Sequence, residues 1–530
     1  MTAMFNARRG AMVAALFGSA AIVSAAPASA NIPSLTVIKE ARHDTSPPLR
    51  DMIRDYNAQH RHDVHVGTRV IPLLPGPAMR KLPTVPDGIK GNSMLPGPVQ
   101  TTDLLNFDGI DDAHGFCGCA PPDTNGAVGA TQYVQWVNEA FSIFNKTTGA
   151  LISGPTAGNA LWQGFAGRCQ SNNNGDPIAQ YDKSAGRWVM LQPVFAGSPY
   201  KMCVAVSTTS DATGTYNRYE FDFANIFPDY PKLGVWPAVG NGAYFLTIRA
   251  FLNGQSFQGS QACGMDRTSM LVGAAATMQC KTISNQDGVL PQDFDGTTLP
   301  PAGEDELFLN HTGSTNINFW RMHVDFINSN NTTLTGPTTV SVPSFGQAGS
   351  VPQKGTTQRL DALAGFTMYR LAYRNFGDHE SLVTNHSVGV NTRAAVRWYE
   401  FRNPASPTLF QSGNIKNKTL HQWMGSIAMD KQGNVAAGFS TSSANDFPGI
   451  RYAGRAFSDA LGKMKKHAGG NTTNGGGSQT SGLSRWGDYS AMSVDPVDDC
   501  TFYYTTEYLK ASGSFNWSTR VNSFKFNTCS

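Results

Sequence analysis

The sequence predicts an all-β fold, a β-propeller of seven blades, and three observations carry that expectation. The composition, 54 Gly, 30 Pro and 15% charged residues among 530, favours many short strands joined by turns over helical packing. From Thr101 onward, apolar or aromatic runs recur at intervals of roughly 50 to 60 residues, each group opened by Asp, Pro or Trp. The stretch 485–508, RWGDYSAMSVDPVDDCTFYYTTEY, states the unit in one place. Trp486, Asp488 and Tyr489 precede an apolar run (Ala491 to Val494), an Asp/Pro turn (Asp495 to Asp499) and an aromatic second strand (Phe502 to Tyr504).

In chain order, residues 1–30 read as a secretory signal. Arg8 and Arg9 give a positive start, Ala11 to Ala25 an apolar stretch, and Ala28-Ser29-Ala30 a cleavage site before Asn31. The arginine pair also admits a twin-arginine signal, although its flanks match poorly. No later run approaches the roughly 18 apolar residues of a membrane span, so a soluble chain, secreted or periplasmic, is expected. Residues 31–100 carry Pro47, Pro48, Pro72, Pro75, Pro77, Pro83, Pro86 and Pro96 with weak periodicity, which predicts an extended leader over the body. Its His60, His62 and His65 beside Asp63 have metal-like spacing, but no Cys or Glu completes a set and a solvated segment explains them better.

The propeller domain is expected over 101–530. Its groups open at Pro121-Pro122-Asp123, Gly175-Asp176-Pro177, Asp229-Tyr230-Pro231-Lys232, Glu304-Asp305, Arg359-Leu360-Asp361, His421-Gln422-Trp423 and the stretch quoted above. In the third, Ser269 to Val272 reads as a strand; in the fourth, Leu307 to Asn310 reads as the first. Leu104 to Phe107 is placed to complete the last blade and join the chain ends, which removes free sheet edges. Six or eight blades stay open. Two stacked β-sandwiches would need a central linker, whereas the low-complexity segment 467–484 reads as a mobile loop inside the body.

Eight cysteines in an exported chain read as disulfides, with proximity pairing Cys169 to Cys203, Cys263 to Cys280 and Cys500 to Cys529. Cys117 and Cys119 either close a short ring or pair elsewhere. A formal charge of +3 gives no sign of nucleic-acid or anionic-membrane capture.

In a propeller, residues just before the innermost strands converge on one pocket. That places Asp123, Asp176, Glu304, Asp361 and Asp488 as candidate catalytic carboxylates, with Tyr230, Lys232, Arg359, Trp423, Trp486 and Tyr489 as candidate substrate-binding residues. Facing carboxylates suit glycoside hydrolysis, aromatic rings stack on sugars, and Arg or Lys pairs a uronate. Each Asp taken singly is also explained as a turn cap. A polysaccharide lyase would instead take Tyr489 or His421 as base with Arg359. Acidic loops at Asp108 to Asp112, Asp293 to Gly296 and Asp495 to Asp499 offer oxygen ligands for Ca²⁺, though none has the full spacing of a calcium loop. His379-Glu380 with His386 is not a zinc-protease motif, and no nucleophile elbow occurs.

The segments PPDTNGAVGATQYVQWVN (121–138), NNNGDPIAQYDKSAGRWVMLQ (172–192), YRLAYRNFGDHESLVTNHSV (369–388) and RWGDYSAMSVDP (485–496) resemble a group of large exported bacterial proteins taken to be β-propellers. That resemblance implies the fold and export, and brings no catalytic residues with it. Ser210 to Tyr216 also looks like the Asp-box turn of sialidase-type propellers, with Asp directly after Ser and Tyr in place of Trp. The arginine trio of sialidases has no counterpart here. The functional expectation is therefore a monomeric exported glycoside hydrolase acting on an extracellular polysaccharide; the alternatives are a non-catalytic glycan- or protein-binding propeller and a polysaccharide lyase.

Overall fold

The computed structural model describes residues 34–59, 68–82, 85–91, 93–467 and 472–530. The signal segment and the histidines near Asp63 lie outside them. The described chain is all-β and propeller-like: antiparallel meanders follow one another, and each turns its first strand inward. These inner strands are Thr124–Val128, Ile178–Asp182, Ile226–Trp236, Leu290–Asp295, Thr367–Asn375, His421–Met429 and Ala491–Val494. They touch in that order, and Ala491–Val494 returns to Thr124–Val128. Burial on both faces explains why they read as apolar runs: every residue of Ile178–Asp182, Leu290–Asp295 and His421–Met429 is buried. The core lies between neighbouring sheets; Phe308, Phe319, Tyr373 and Phe401, for example, fill the space between the fourth and fifth meanders.

Thr101–Asp111 pairs antiparallel with Trp517–Phe526, so an N-terminal strand completes the last sheet. The leader does more than lie over the body. Leu35–Thr45 pairs with Tyr216–Ala224 on one edge and Thr277–Ile283 on the other, fusing two meanders into one sheet. Leu49–Gln59 is a helix whose Leu49, Met52, Ile53 and Tyr56 are buried. Their i, i+3, i+4, i+7 spacing was legible, but the prolines before it masked the period.

Two strand readings need correction. Ser269 to Val272 belongs to the helix Arg267–Val272, because Asp266 accepts from the Ser269 N–H at 3.1 Å and Gly273, at φ 72°, ends it. The missing strand is Ser256–Met265. In the fourth meander the inner strand is Leu290–Asp295, so that group opens at Asp287-Gly288, ahead of Glu304. The described part of the low-complexity segment is also packed. A Cβ on Gly475 would stand 1.9 Å from the Pro448 carbonyl oxygen, and Gln479 donates to the Leu483 and Arg485 carbonyls at 3.0 and 2.7 Å. Glycine is there for close approach.

The disulfides are Cys117–Cys119, Cys169–Cys203, Cys263–Cys280 and Cys500–Cys529. No helix among the described residues is long and apolar enough to cross a membrane. The Asp-box-like segment turns from Tyr200–Ser207 into Tyr216–Ala224, with Asp211 Oδ1 accepting from the Thr213 N–H and from Gln132 Nε2, both at 2.9 Å.

Candidate functional site at the mouth of the ring

Several inner strands carry one left-handed residue just before them or within them. Asp123, Asp176, Tyr230, Met424 and Asp488 have φ of 50, 50, 52, 54 and 60°. Among L residues, Asp and Asn visit this region most readily, because a short polar side chain bonds to its own surroundings. Three of the five expected carboxylates therefore stand where the backbone itself favours Asp.

These residues do converge. Asp123 is fully buried and accepts from Asn138 Nδ2 at 2.7 Å, and the buried Asp176 accepts from the Tyr230 N–H at 3.1 Å. Burial, then the charges of Asp488 and Asp176, push the Asp123 carboxyl far above the usual range. Burial also raises Asp176, opposed by Lys232. Out of water, the charge of one carboxylate disfavours the charged form of its neighbour.

Lys232 is buried, with Nζ 3.4 Å from the centre of the Tyr230 ring and 4.0 Å from that of Tyr489. Burial lowers it to about 7, against the pull of Asp176, Asp488 and Asp123. Tyr230 donates its hydroxyl to the Asp488 carbonyl at 3.0 Å and Tyr489 to that of Pro177 at 3.3 Å. Arg485, unassigned in the sequence although it begins the RWGDYS motif, reaches Asp488 Oδ2 at 2.5 Å and Asp361 Oδ2 at 3.2 Å. Burial holds Asp361 up at about 7 despite that arginine. Arg249 similarly bonds Asp229 at 2.7 Å and Asp287 at 2.6 Å. Sequence reasoning missed Asp287 because it opened the fourth group too late; the Asp-Gly pair before an apolar run was the available signal.

The leader lies across this cluster. The Ile71 N–H donates to the Ala120 carbonyl at 2.8 Å, and the Ile71 carbonyl accepts from Arg485 Nε at 3.0 Å. The Leu74 carbonyl accepts from Arg249 at 2.7 Å, and the Ala78 N–H donates to Asp287 at 3.0 Å. Gly365 lies so close that a Cβ would stand 1.6 Å from the Ala78 carbonyl oxygen. The larger open recesses are lined by other residues.

The remaining candidates are placed differently. Trp423 and Trp486 are fully buried 5.9 Å apart, with the Trp486 Nε1–H donating to Ser440 Oγ at 3.1 Å, so neither offers a face to a sugar. Arg359 is exposed and bonds Ser350. Glu304 sits apart beside Glu380, raised to about 8 by burial and by that neighbour. For elimination, Tyr489 is buried and raised, while His421 is neutral, lowered to about 4 by burial, with its Nδ1 accepting from the Ala394 N–H at 3.1 Å. Its basic nitrogen is thereby taken. The acidic loops do not fit a calcium ion: Arg370 and Lys183 hold Asp293 and Asp295, Arg374 holds Asp499, and Arg520 holds Asp108. Among the described residues no group of His, Cys, Asp and Glu forms a metal set.

Asp123→Asn should be nearly neutral for stability, within about 1 kcal/mol, because Asn tolerates the same φ and removes one of two neighbouring buried carboxyl groups. Asp123→Ala should cost about 1–3 kcal/mol through the orphaned Asn138. Urea unfolding of both variants at pH 7 checks this; equal losses would mean that Asp123 is ionised.

No family model and no curated protein matches the chain. Among solved structures, an ulvan lyase of a new polysaccharide lyase family is similar at 12% identity and a TM-score of 0.35, covering 78% of this chain and 96% of that one. An exo-β-1,3-galactanase from Clostridium thermocellum is similar at 10% identity and a TM-score of 0.29, covering 73% and 88%. Drosophila Plexin A, in complex with Semaphorin 1b, is similar at 9% identity and a TM-score of 0.31, covering 82% and 89%.

Proposed function

We propose that this protein is an exported, monomeric, seven-bladed propeller that binds an extracellular glycan without cleaving it. The observation that carries this reading is the state of the converging carboxylates. Asp123 and Asp176 are buried and already held by Asn138 Nδ2 and the Tyr230 N–H, whereas hydrolysis requires two carboxyl groups facing an open gap of roughly 5–9.5 Å. Tyr230, Tyr489 and Lys232 occupy each other's faces, and the leader crosses above. The cluster serves closure of the ring, and ligand is met on an open recess.

A hydrolytic reading draws on one feature, the concentration of strongly perturbed carboxylates beside a lysine near 7. One experiment decides between them. Residues 31–530 are incubated with plant, algal and bacterial polysaccharides, with reducing ends, absorbance near 235 nm and retention on the immobilised polymers all followed. Retention without new ends or absorbance is expected. New reducing ends lost in Asp176→Asn would overturn the binding reading in favour of hydrolysis, and absorbance would do so in favour of elimination.

A further inference from the structure

Where the inner strands of the fifth and sixth meanders end, their hairpins frame a cavity of about 270 Å³. The strands Thr367–Asn375, Arg393–Arg402, His421–Met429 and Asp446–Arg455 all end there, so the cavity is framed by four turns. Phe376, Phe410 and Phe457 line it, and its charged lining is Arg402, Arg455, Glu400 and Asp378, the last bonded to His379. Phe457, on a turn, is 61% exposed and Phe410, near the start of the strand Thr408–Ile415, is 37% exposed, so two aromatic rings of one cavity face solvent. The Phe457 N–H donates to Asn434 Oδ1 at 2.8 Å, which fixes the turn that carries the ring.

Two arginines and two carboxylates line the cavity, and of the arginines only Arg402 is in an ion pair among the described residues. Arg402 lies 3.4 Å from the centre of the Phe410 ring and donates to Glu400 Oε1 at 2.9 Å. Glu400 is further held by Ser381 Oγ at 2.9 Å and Gln411 Nε2 at 2.5 Å. Arg455 is 4% exposed, and its Nη2 donates only to the Phe457 and Asp459 carbonyls, at 3.1 and 2.7 Å. Its Nε is buried with no partner, and no carboxylate ion-pairs with it among the described residues. The Glu400 and Asp459 carboxylates act on Arg455 without pairing with it, which leaves a buried guanidinium with an unpartnered Nε that an anion in the cavity would complete.

From this we infer that the cavity binds one acidic sugar residue, a hexuronate, with its carboxylate on Arg455 and the apolar face of its ring against Phe410 and Phe457. The volume falls just below the roughly 300 Å³ at which pockets for drug-sized ligands begin, which suits a single ring. Flat aromatic walls match a pyranose face. The nearby charge of Glu400 disfavours a dianion such as phosphate and leaves room for a monoanion. The inference rests on the glycan reading above and gives it a sugar class and a place.

The test is ligand-observed NMR titration of residues 31–530 with methyl β-D-glucuronoside, methyl β-D-glucoside and N-acetyl-aspartate amide. The glucuronoside is expected to bind at least about tenfold more tightly than the glucoside, as a charged hydrogen bond implies. Arg455→Gln should remove that preference, and Phe410→Ala with Phe457→Ala, at exposed positions that leave the fold intact by circular dichroism, should weaken the glucuronoside by a similar factor. Equal binding of the two sugars, or equal binding of the aspartate amide, overturns the inference. Retention on polysaccharide that survives the double phenylalanine variant overturns it while leaving the platform reading standing; loss of all glycan retention in the unmodified protein overturns both.

Discussion

Arg370→Met should cost about 3–5 kcal/mol of stability, the range for removing one partner of a buried ion pair. The guanidinium is 2% exposed and sits in the ring's interior, with Nε 2.6 Å from Asp293 Oδ2 and Nη1 2.6 Å from Asp295 Oδ2. Asp293 also accepts from Gln180 Nε2 and, at 3.1 Å, from the Val235 N–H; Asp295 accepts from Lys183 Nζ. Residues of the second, third, fourth and fifth meanders thus meet through two carboxylates and one arginine. Removing that arginine leaves two ions in the interior with one lysine between them.

The pH dependence gives this expectation a sign. Burial alone would raise Asp295, but Arg370 and Lys183 outweigh it and hold the carboxyl well below the usual range. A folded value below the unfolded one, roughly 3.9 for Asp, contributes stability that is present above pH 4 and lost as pH falls toward the folded value. In Arg370→Met the same burial acts with less opposition, the carboxyl moves up, and the variant gains stability on acidification from pH 7 to 4. Urea unfolding at pH 7, 5.5 and 4 should therefore show the gap between the two proteins narrowing as pH falls. A gap independent of pH would mean that Arg370 contributes packing rather than charge.

How much of this was legible follows from where each signal came from. Inner strands announce themselves as apolar runs behind an Asp, and the spacing of such runs located Asp123, Asp176, Tyr230 and Asp488 at one mouth. The strand Leu290–Asp295 escaped because it pairs in parallel with Thr367–Asn375, across a long intervening excursion that local periodicity cannot see. The interior arginines escaped for a different reason. Arg249, Arg370 and Arg485 lie in stretches that alternate like any strand or turn, and only the closed ring reveals that each faces two carboxylates. The aromatic candidates failed on the same geometry. Trp486 precedes an inner strand and Trp423 lies near the start of one, as sugar-stacking residues would, yet at that radius the space between meanders is already core.

Arg485→Met tests whether the mouth is a clasp. The substitution strands Asp488 and Asp361 and frees the Ile71 carbonyl, so a loss of about 3–5 kcal/mol is again expected, together with faster protease cleavage within residues 68–79. The two effects have separable causes. Adding Asp361→Asn and Asp488→Asn removes the orphaned charges, and Asn keeps the φ of 60° at position 488, so stability should largely return. Protease sensitivity should persist, because the bond from Arg485 to the leader is still missing. If the leader instead stays protected in the triple variant, its grip comes from Arg249, Asp287 and the contact at Gly365, and Arg485 acts within the ring alone. Retention on glycan should survive in either case, because none of the clasp residues lines the open recess. Loss of retention in a triple variant of recovered stability would return the mouth to consideration as the place where ligand is met.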